Sequence, residues 1–211
     1  MVGQGRKLEK LLLGCIVFVL ILYSGCIQLG EKPPAGKGVL NLTKKYSKFG
    51  FSFWYPEGME ISETGFLGDN PDDTSGIIMG EYYFDGGDQA LFIKISWIKM
   101  PTPSTPEEEY EVLDVGINAS FDLIAEVIET AKNFTKEEKR EIKINNRKIL
   151  YQKYLLDFST DEYPNKVLYG VAGSFYCYKN KKSYTFNLAY SKDKNEAFLL
   201  FKDFLENFDC Y

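Results

Sequence analysis

The residues able to do chemistry in this chain are defined first by an absence. None of its 211 residues is histidine. That removes Ser-His-Asp and Cys-His nucleophile systems, histidine-containing zinc sites and the usual near-neutral general base. Carboxylates, Lys, Tyr and four cysteines remain. Asp69-Asn70-Pro71-Asp72-Asp73 and Asp85-Gly86-Gly87-Asp88 carry oxygen ligands of the kind Ca²⁺ takes, but neither has the spacing of a calcium loop. Asp, Asn and Gly are ordinary turn residues, so both stretches are read as solvated turns. Glu107, Glu108, Glu109 and Glu111 stand where carboxylates favour a helix N-terminus. No carboxylate pair stands out for acid–base hydrolysis. No catalytic residue, metal ligand or cofactor is assigned.

Cys15 and Cys26 lie in an apolar N-terminal run, which leaves Cys177 and Cys210 for the domain itself. Outside the cytoplasm a leftover pair predicts a disulfide; two buried free thiols are the alternative. Asn41-Leu42-Thr43, Asn118-Ala119-Ser120 and Asn133-Phe134-Thr135 are glycosylation sequons, used only where the host has the machinery. Trp54 is out of phase with the aromatic face Phe49, Phe51 and Phe53, so it lies beneath a helix or is exposed for binding.

The N-terminus supplies an address. Arg6, Lys7 and Lys10 precede the uncharged run from Leu11, which closes on Ser24-Gly25-Cys26. A basic region, an apolar region and small residues before a cut site make an export signal. With cysteine directly after the small pair, this is similar to a prokaryotic lipobox, cleaved before Cys26 and lipidated on it, although Tyr23 replaces the usual aliphatic residue. Leu11–Leu29 is also nearly long enough, at about 1.5 Å per residue, to remain as an uncleaved anchor; plain secretion is the third reading. Residues 1–25 are thus read as signal or anchor and 26–42, with Pro33-Pro34 and Gly30, Gly36 and Gly38, as a flexible tether. Residues 43–211 are read as one domain on the extracytoplasmic face.

Apolar content of 45% and aromatic content of 16% are ample for a packed core. A net charge of −5 with no basic stripe excludes nucleic acid as a partner. Within the domain, Lys48–Pro56 alternates Phe49, Phe51, Phe53 and Tyr55, a half-buried strand stopped by Pro56. Ser75–Phe84 and Ala90–Met100 read as a hairpin. Thr105-Pro106-Glu107-Glu108 is a capping-box start, and Tyr110, Leu113, Ile117, Phe121, Ile124, Ile128 and Ala131 predict one apolar stripe on a helix of about seven turns. Arg140–Ile144 and Lys148–Phe158 flank the turn Asn145-Asn146, and Val167–Tyr178 and Lys182–Tyr190 form a last hairpin. Asp193 and Glu196 start a final helix whose inner face runs from Ala197 to Phe208. This order predicts an α+β fold with an antiparallel sheet carrying helices.

Phe49-Gly50-Phe51-Ser52-Phe53-Trp54-Tyr55-Pro56-Glu57-Gly58-Met59 resembles the opening signature of the PsbP/Mog1/DcrB-like domains, and the later hairpins and helices follow that family's order. The resemblance covers nearly all of residues 43–211. It implies an α/β/α sandwich around a central antiparallel sheet, with one long central helix and a C-terminal helix. Family members include accessory subunits, import-factor-binding proteins and exported lipoproteins, mostly scaffolds and binders. Some photosynthetic members hold metal partly through histidine; with none here, no metal ligand carries over. The expected function is a non-enzymatic, membrane-anchored domain that binds and assists a cell-envelope protein complex. A small-molecule or lipid-binding module is the alternative, which a large apolar pocket would favour. A histidine-independent enzyme is the third reading.

Overall fold

Strand periodicity builds most of the molecule. The structure, a computed structural model, describes residues 40–66, 68–84, 89–161 and 166–211. Eight strands form the main antiparallel sheet: β3 (Glu60–Thr64), β4 (Ser75–Tyr83), β5 (Ala90–Lys99), β6 (Asn133–Lys136), β7 (Arg140–Ile144), β8 (Arg147–Asp157), β9 (Val167–Cys177) and β10 (Lys182–Tyr190). Their spatial order is β3-β4-β5-β10-β9-β8-β6, with β7 also paired to β8. A separate sheet of order β1-β2-β11 joins β1 (Leu42–Lys48), β2 (Phe51–Pro56) and β11 (Phe208–Cys210). Helices α1 (Pro106–Asp122) and α2 (Ala125–Thr130) follow β5, and α3 (Lys194–Glu206) follows β10. The fold is α+β, a sandwich with the long helix on one face of the main sheet and the C-terminal helix on the other.

The alternating strands divide their side chains between two cores. On one face Leu113, Ile117 and Phe121 of α1 meet Leu150, Tyr154, Ala172 and Tyr176. On the other, Trp97, Phe175, Tyr184 and Phe186 meet α3 and the small sheet through Phe51, Phe53, Phe201 and Phe208.

Four readings of the sequence are corrected. The aromatic strand is a hairpin, since Phe49 and Gly50 turn at φ 51° and 73°, and Phe49 leaves the ladder to stack on Trp97 at 5.0 Å. That strand belongs to a separate small sheet, where the sequence predicts one antiparallel sheet. The seven-turn helix breaks after Asp122, where Lys94 Nζ donates to the Leu123 carbonyl at 2.7 Å. Phe208 lies on β11, paired with Phe53, beyond the end of the last helix. Both helix starts are capped as expected: Thr105 Oγ1 accepts from Glu108 N at 3.1 Å, and Asp193 accepts from Asn195 N and Glu196 N. Glu108, however, reaches past the cap to Ser104 N at 2.6 Å and Ser104 Oγ at 2.7 Å.

Lys182 holds the two sheets together. It shares the parity of Tyr184 and Phe186, is fully buried, and donates to Phe49 O at 2.7 Å and Asp73 Oδ1 at 2.6 Å. Asp73 itself is 65% exposed. Exposed carboxylates normally change stability by less than about 0.5 kcal/mol when removed. Asp73→Ala is expected to cost about 1.5–3 kcal/mol, because a buried ammonium loses its charged partner. Chemical denaturation measures it. Adding Lys182→Met should recover most of the loss, since the desolvated charge is then gone.

Candidate functional site

Helix α1 approaches the sheet closely at Gly116, and this approach shapes the groove beside it. A Cβ at Gly116 would lie 2.3 Å from Ser174 Oγ and 2.9 Å from Thr185 Oγ1. Ser174, Thr185 and Ser96 stand in register across β9, β10 and β5, so small hydroxyl residues form the bed of the helix. Glycine costs a helix interior about 1 kcal/mol relative to alanine, which the close packing offsets. Gly116→Val is expected to destabilise by about 1–3 kcal/mol through overpacking and to push α1 off this bed. A melt unchanged by Gly116→Val would refute the close approach.

Between α1 and β5 the bed continues into an open groove of about 760 Å³. Its floor includes Ser96, Ser183 and Thr185, each less than a tenth exposed. None of the three hydroxyls makes a hydrogen bond within the described residues. Val112, Val115 and Ala119 of α1 form one wall; Phe66 and Ile98 face them. Phe66 is 47%, Ile98 50% and Val115 66% exposed, an unusual gathering of apolar side chains at one surface. Glu111 and Asp122 stand on the rim.

A second cleft, of about 740 Å³, lies against Cys177, Cys210, Arg147, Lys148, Tyr176 and Tyr178. Several of its polar groups are already engaged. Arg147 donates to Phe208 O at 2.6 Å and Leu205 O at 2.7 Å, and Lys148 pairs with Glu141 at 3.2 Å. Tyr178 donates to Glu109 at 2.9 Å. Partial burial, then Glu109, pushes the Tyr178 phenol up to about 12, so it stays protonated. Among the described residues the side chains of Lys143, Asn146, Lys179 and Asp209 stay unpaired around it and Arg147 Nε is buried without a partner, so this cleft is lined mainly by polar residues where the groove beside α1 is mainly apolar.

Most of the sequence candidates lie within the described residues. Cys177 and Cys210 are bonded to each other across β9 and β11. Trp54 is half-buried on the small sheet with Lys45 Nζ over its ring at 5.7 Å, away from the groove. Asn41, Asn118 and Asn133 are exposed, but the Asn118 amide also bonds Asp114 at 3.3 Å and Lys139 at 3.1 Å. Asp72 Oδ1 accepts from Thr74 N at 2.6 Å and Ser75 N at 2.9 Å, and these backbone donors hold its carboxyl below the usual range. With Asp73 on Lys182, the first acidic loop is an internal brace more than a solvated turn. Among the described residues no three acidic or cysteine side chains converge as a metal site. Burial, with Glu60 opposite, raises the Glu81 carboxyl, while the Tyr83 hydroxyl donates to it at 3.4 Å. Cys26, Cys15 and residues 85–88 lie outside the described residues.

A solved structure shares this architecture. PsbP (CyanoP) from Synechocystis sp. PCC 6803 superposes with a TM-score of 0.54 at 17% identity, covering 87% of this chain and 99% of that one. The chain has a PsbP-like fold. The Saccharomyces cerevisiae Ran-binding protein Mog1p gives a TM-score of 0.46 at 9% identity over 81% of this chain and 96% of its own. A mutant of protein Mog1 gives 0.41 at 10% identity over 76% and 90%. At those values the overlap adds nothing to the PsbP-like assignment. No protein-family model matches the sequence, and no curated protein matches it.

The groove residues were partly hidden in the PsbP-like pattern. Ser183, Thr185, Asn187 and Ala189 alternate with aromatics along β10, which reads as a solvent face; α1 covers that parity instead. Val115, midway along the helix on its polar side, was the one local signal.

Proposed function

We propose that this chain is a non-enzymatic, membrane-anchored extracytoplasmic binding domain that receives a protein partner of a cell-envelope complex in the groove between α1 and β5. The observation that carries the reading is the convergence of Phe66, Ile98 and Val115, three exposed apolar side chains from separate elements around one groove. Interfaces bury such clusters inside a polar rim. The export signal with Cys26 and the tether before the domain support placement on the outer face of the membrane. Among the described residues no helix is long and apolar enough to cross a membrane; the apolar run Leu11–Leu29 lies outside them.

The test is a photo-crosslinking residue placed at Val115 or Ile98 of the full chain in cells, with exposed Leu199 on α3 as the control position. One envelope protein joined at Val115 and Ile98 but not at Leu199 is the expected result. Equal labelling at all three positions overturns the assignment of the groove. A chain protected from external protease in intact cells overturns the outer-face placement.

A small apolar ligand is the second reading, favoured by the unpartnered floor hydroxyls of Ser96, Ser183 and Thr185 and by a volume in the range of ligand pockets. Native mass spectrometry of protein recovered from cells distinguishes it: a bound small molecule lost on Val115→Trp moves the assignment from protein to ligand.

A further inference from the structure

We propose that the partner segment is a basic amphipathic helix, laid on β3–β5 beside α1, with two cationic side chains about three turns apart meeting Glu111 and Asp122. The inference rests on the groove reading above and adds the chemistry of the occupant.

Space comes first. Helix α1 packs over β8, β9 and β10, and among the described residues no helix packs on the same face of β3, β4 and β5. The axes of three adjacent strands span about 10 Å, and an α-helix with its side chains is about 10 Å across. One helix fits there at ordinary helix–helix spacing from α1. Ile98, Ile77, Met79 and Phe92 share that face with Ser75 and Ser62, and Phe66 follows β3; Lys94, held to the Leu123 carbonyl, and the facing Glu81 and Glu60 stand on it toward the other end.

Charge then selects the partner. Glu107, Glu108, Glu109, Glu111, Asp114, Asp122, Glu126 and Glu129 all fall between Thr105 and Ala131, a stretch with no Lys or Arg. Several are engaged locally: Glu108 with Ser104, Glu109 with Tyr178 and Asp114 with Lys139. Glu111 and Asp122 line the groove and pair with nothing among the described residues. At 3.6 residues per turn, positions 111, 115 and 122 share one helical face, which places the exposed Val115 between two free carboxylates. The two are about 16 Å apart along the axis. Cations eleven residues apart on a neighbouring helix match that separation and also share one face. Such a segment lays its apolar stripe on the groove and its charges on the rim.

The test uses the full chain in nanodiscs of neutral phosphatidylcholine and fluorescent helical peptides of about five turns with a leucine stripe. One peptide carries two lysines eleven residues apart. A second carries glutamates at those positions, and a third has the lysines six residues apart. The first should bind best. Glu111→Gln with Asp122→Asn should weaken it about 5- to 20-fold at low salt, an effect that raised salt removes. Both sites are exposed, so the variants keep the fold. Binding lost on Val115→Arg but indifferent to the two carboxylates and to lysine spacing overturns the proposal while the groove reading stands. The same holds if no peptide binds although the Val115 cross-link forms in cells. Peptide binding that ignores Val115→Arg, with no cross-link at Val115, overturns both.

Discussion

Replacing Phe208 by alanine is expected to remove about 3–5 kcal/mol of stability, from a strand of three residues near the end of the chain. Phe208 is fully buried and its ring meets six others: Phe186 at 5.1 Å, Tyr184 at 5.2 Å, Phe51 at 5.3 Å, Phe175 at 5.6 Å, Phe204 at 6.3 Å and Phe53 at 6.4 Å. Those partners come from β2, β9, β10 and α3, so the ring sits where the main sheet, the small sheet and the last helix meet. Truncation leaves a cavity between rigid strands that cannot collapse together, and forfeits edge-to-face contacts worth about 0.5–1.5 kcal/mol each beyond area burial. For a domain of this size the loss corresponds to a melting-temperature drop of about 6–20 °C. A thermal melt of the full chain reads it. A drop of less than 2 °C would show that β11 does not seat this ring in solution.

Phe208 also shows what the sequence conceals. The spacing Ala197, Phe198, Phe201, Leu205, Phe208 continues at helical period past the end of α3, and the local mark of the change is Asn207 alone, whose Nδ2 donates to Asp203 O at 2.7 Å. Long-range contacts add to that cap: Arg147 takes the carbonyls of Leu205 and Phe208, and Asn145 Nδ2 donates to Glu206 O at 2.8 Å. The break after Asp122 has the same character, because the apolar stripe runs on to Ile128 while Lys94 holds the Leu123 carbonyl from another strand. Where structure is decided by neighbours in sequence, the reading succeeds. Thr105 and Asp193 cap as expected, and Asn145 and Asn146 turn at φ 49° and 62°.

The groove was legible only in part for the same physical reason. Period two in β10 correctly separates Tyr184, Phe186 and Leu188 from Ser183, Thr185 and Asn187, but period alone does not say which face meets water. Both are buried here, one beneath aromatics and the other beneath α1. The polar side is satisfied in pieces: the Tyr154 hydroxyl donates to Asn187 Oδ1, and Ser174 Oγ to Tyr184 O at 3.2 Å. The buried hydroxyls of Ser96, Ser183 and Thr185, without such partners among the described residues, line the groove along the edge of α1. Lys182 was missed differently, as a charge placed on the aromatic parity.

Loss of the Cys177–Cys210 bond is expected to cost about 3–4 kcal/mol. The bridge closes a loop with a sequence separation of 33 residues, for which chain entropy gives about 3.7 kcal/mol at 25 °C. It fixes β11 to the end of β9, two residues beyond Phe208, while Tyr211 N donates to Gly50 O at 2.9 Å just after it. Reductant should therefore lower the melting temperature of the native chain by about 6–16 °C, and Cys177→Ser with Cys210→Ser should melt at the lower temperature with or without reductant. A native melt indifferent to reductant would show that the bond does not support the fold, and would weigh against an oxidising compartment for the domain. The bridge and Phe208 hold the same three-residue strand, so their losses should not add. Once both are gone, β11 can detach while β1, β2 and the main sheet remain paired, and the combined loss should fall short of the sum. A fully additive pair would mean that β11 stays seated without either, held by Arg147 and the short ladder to β2 alone.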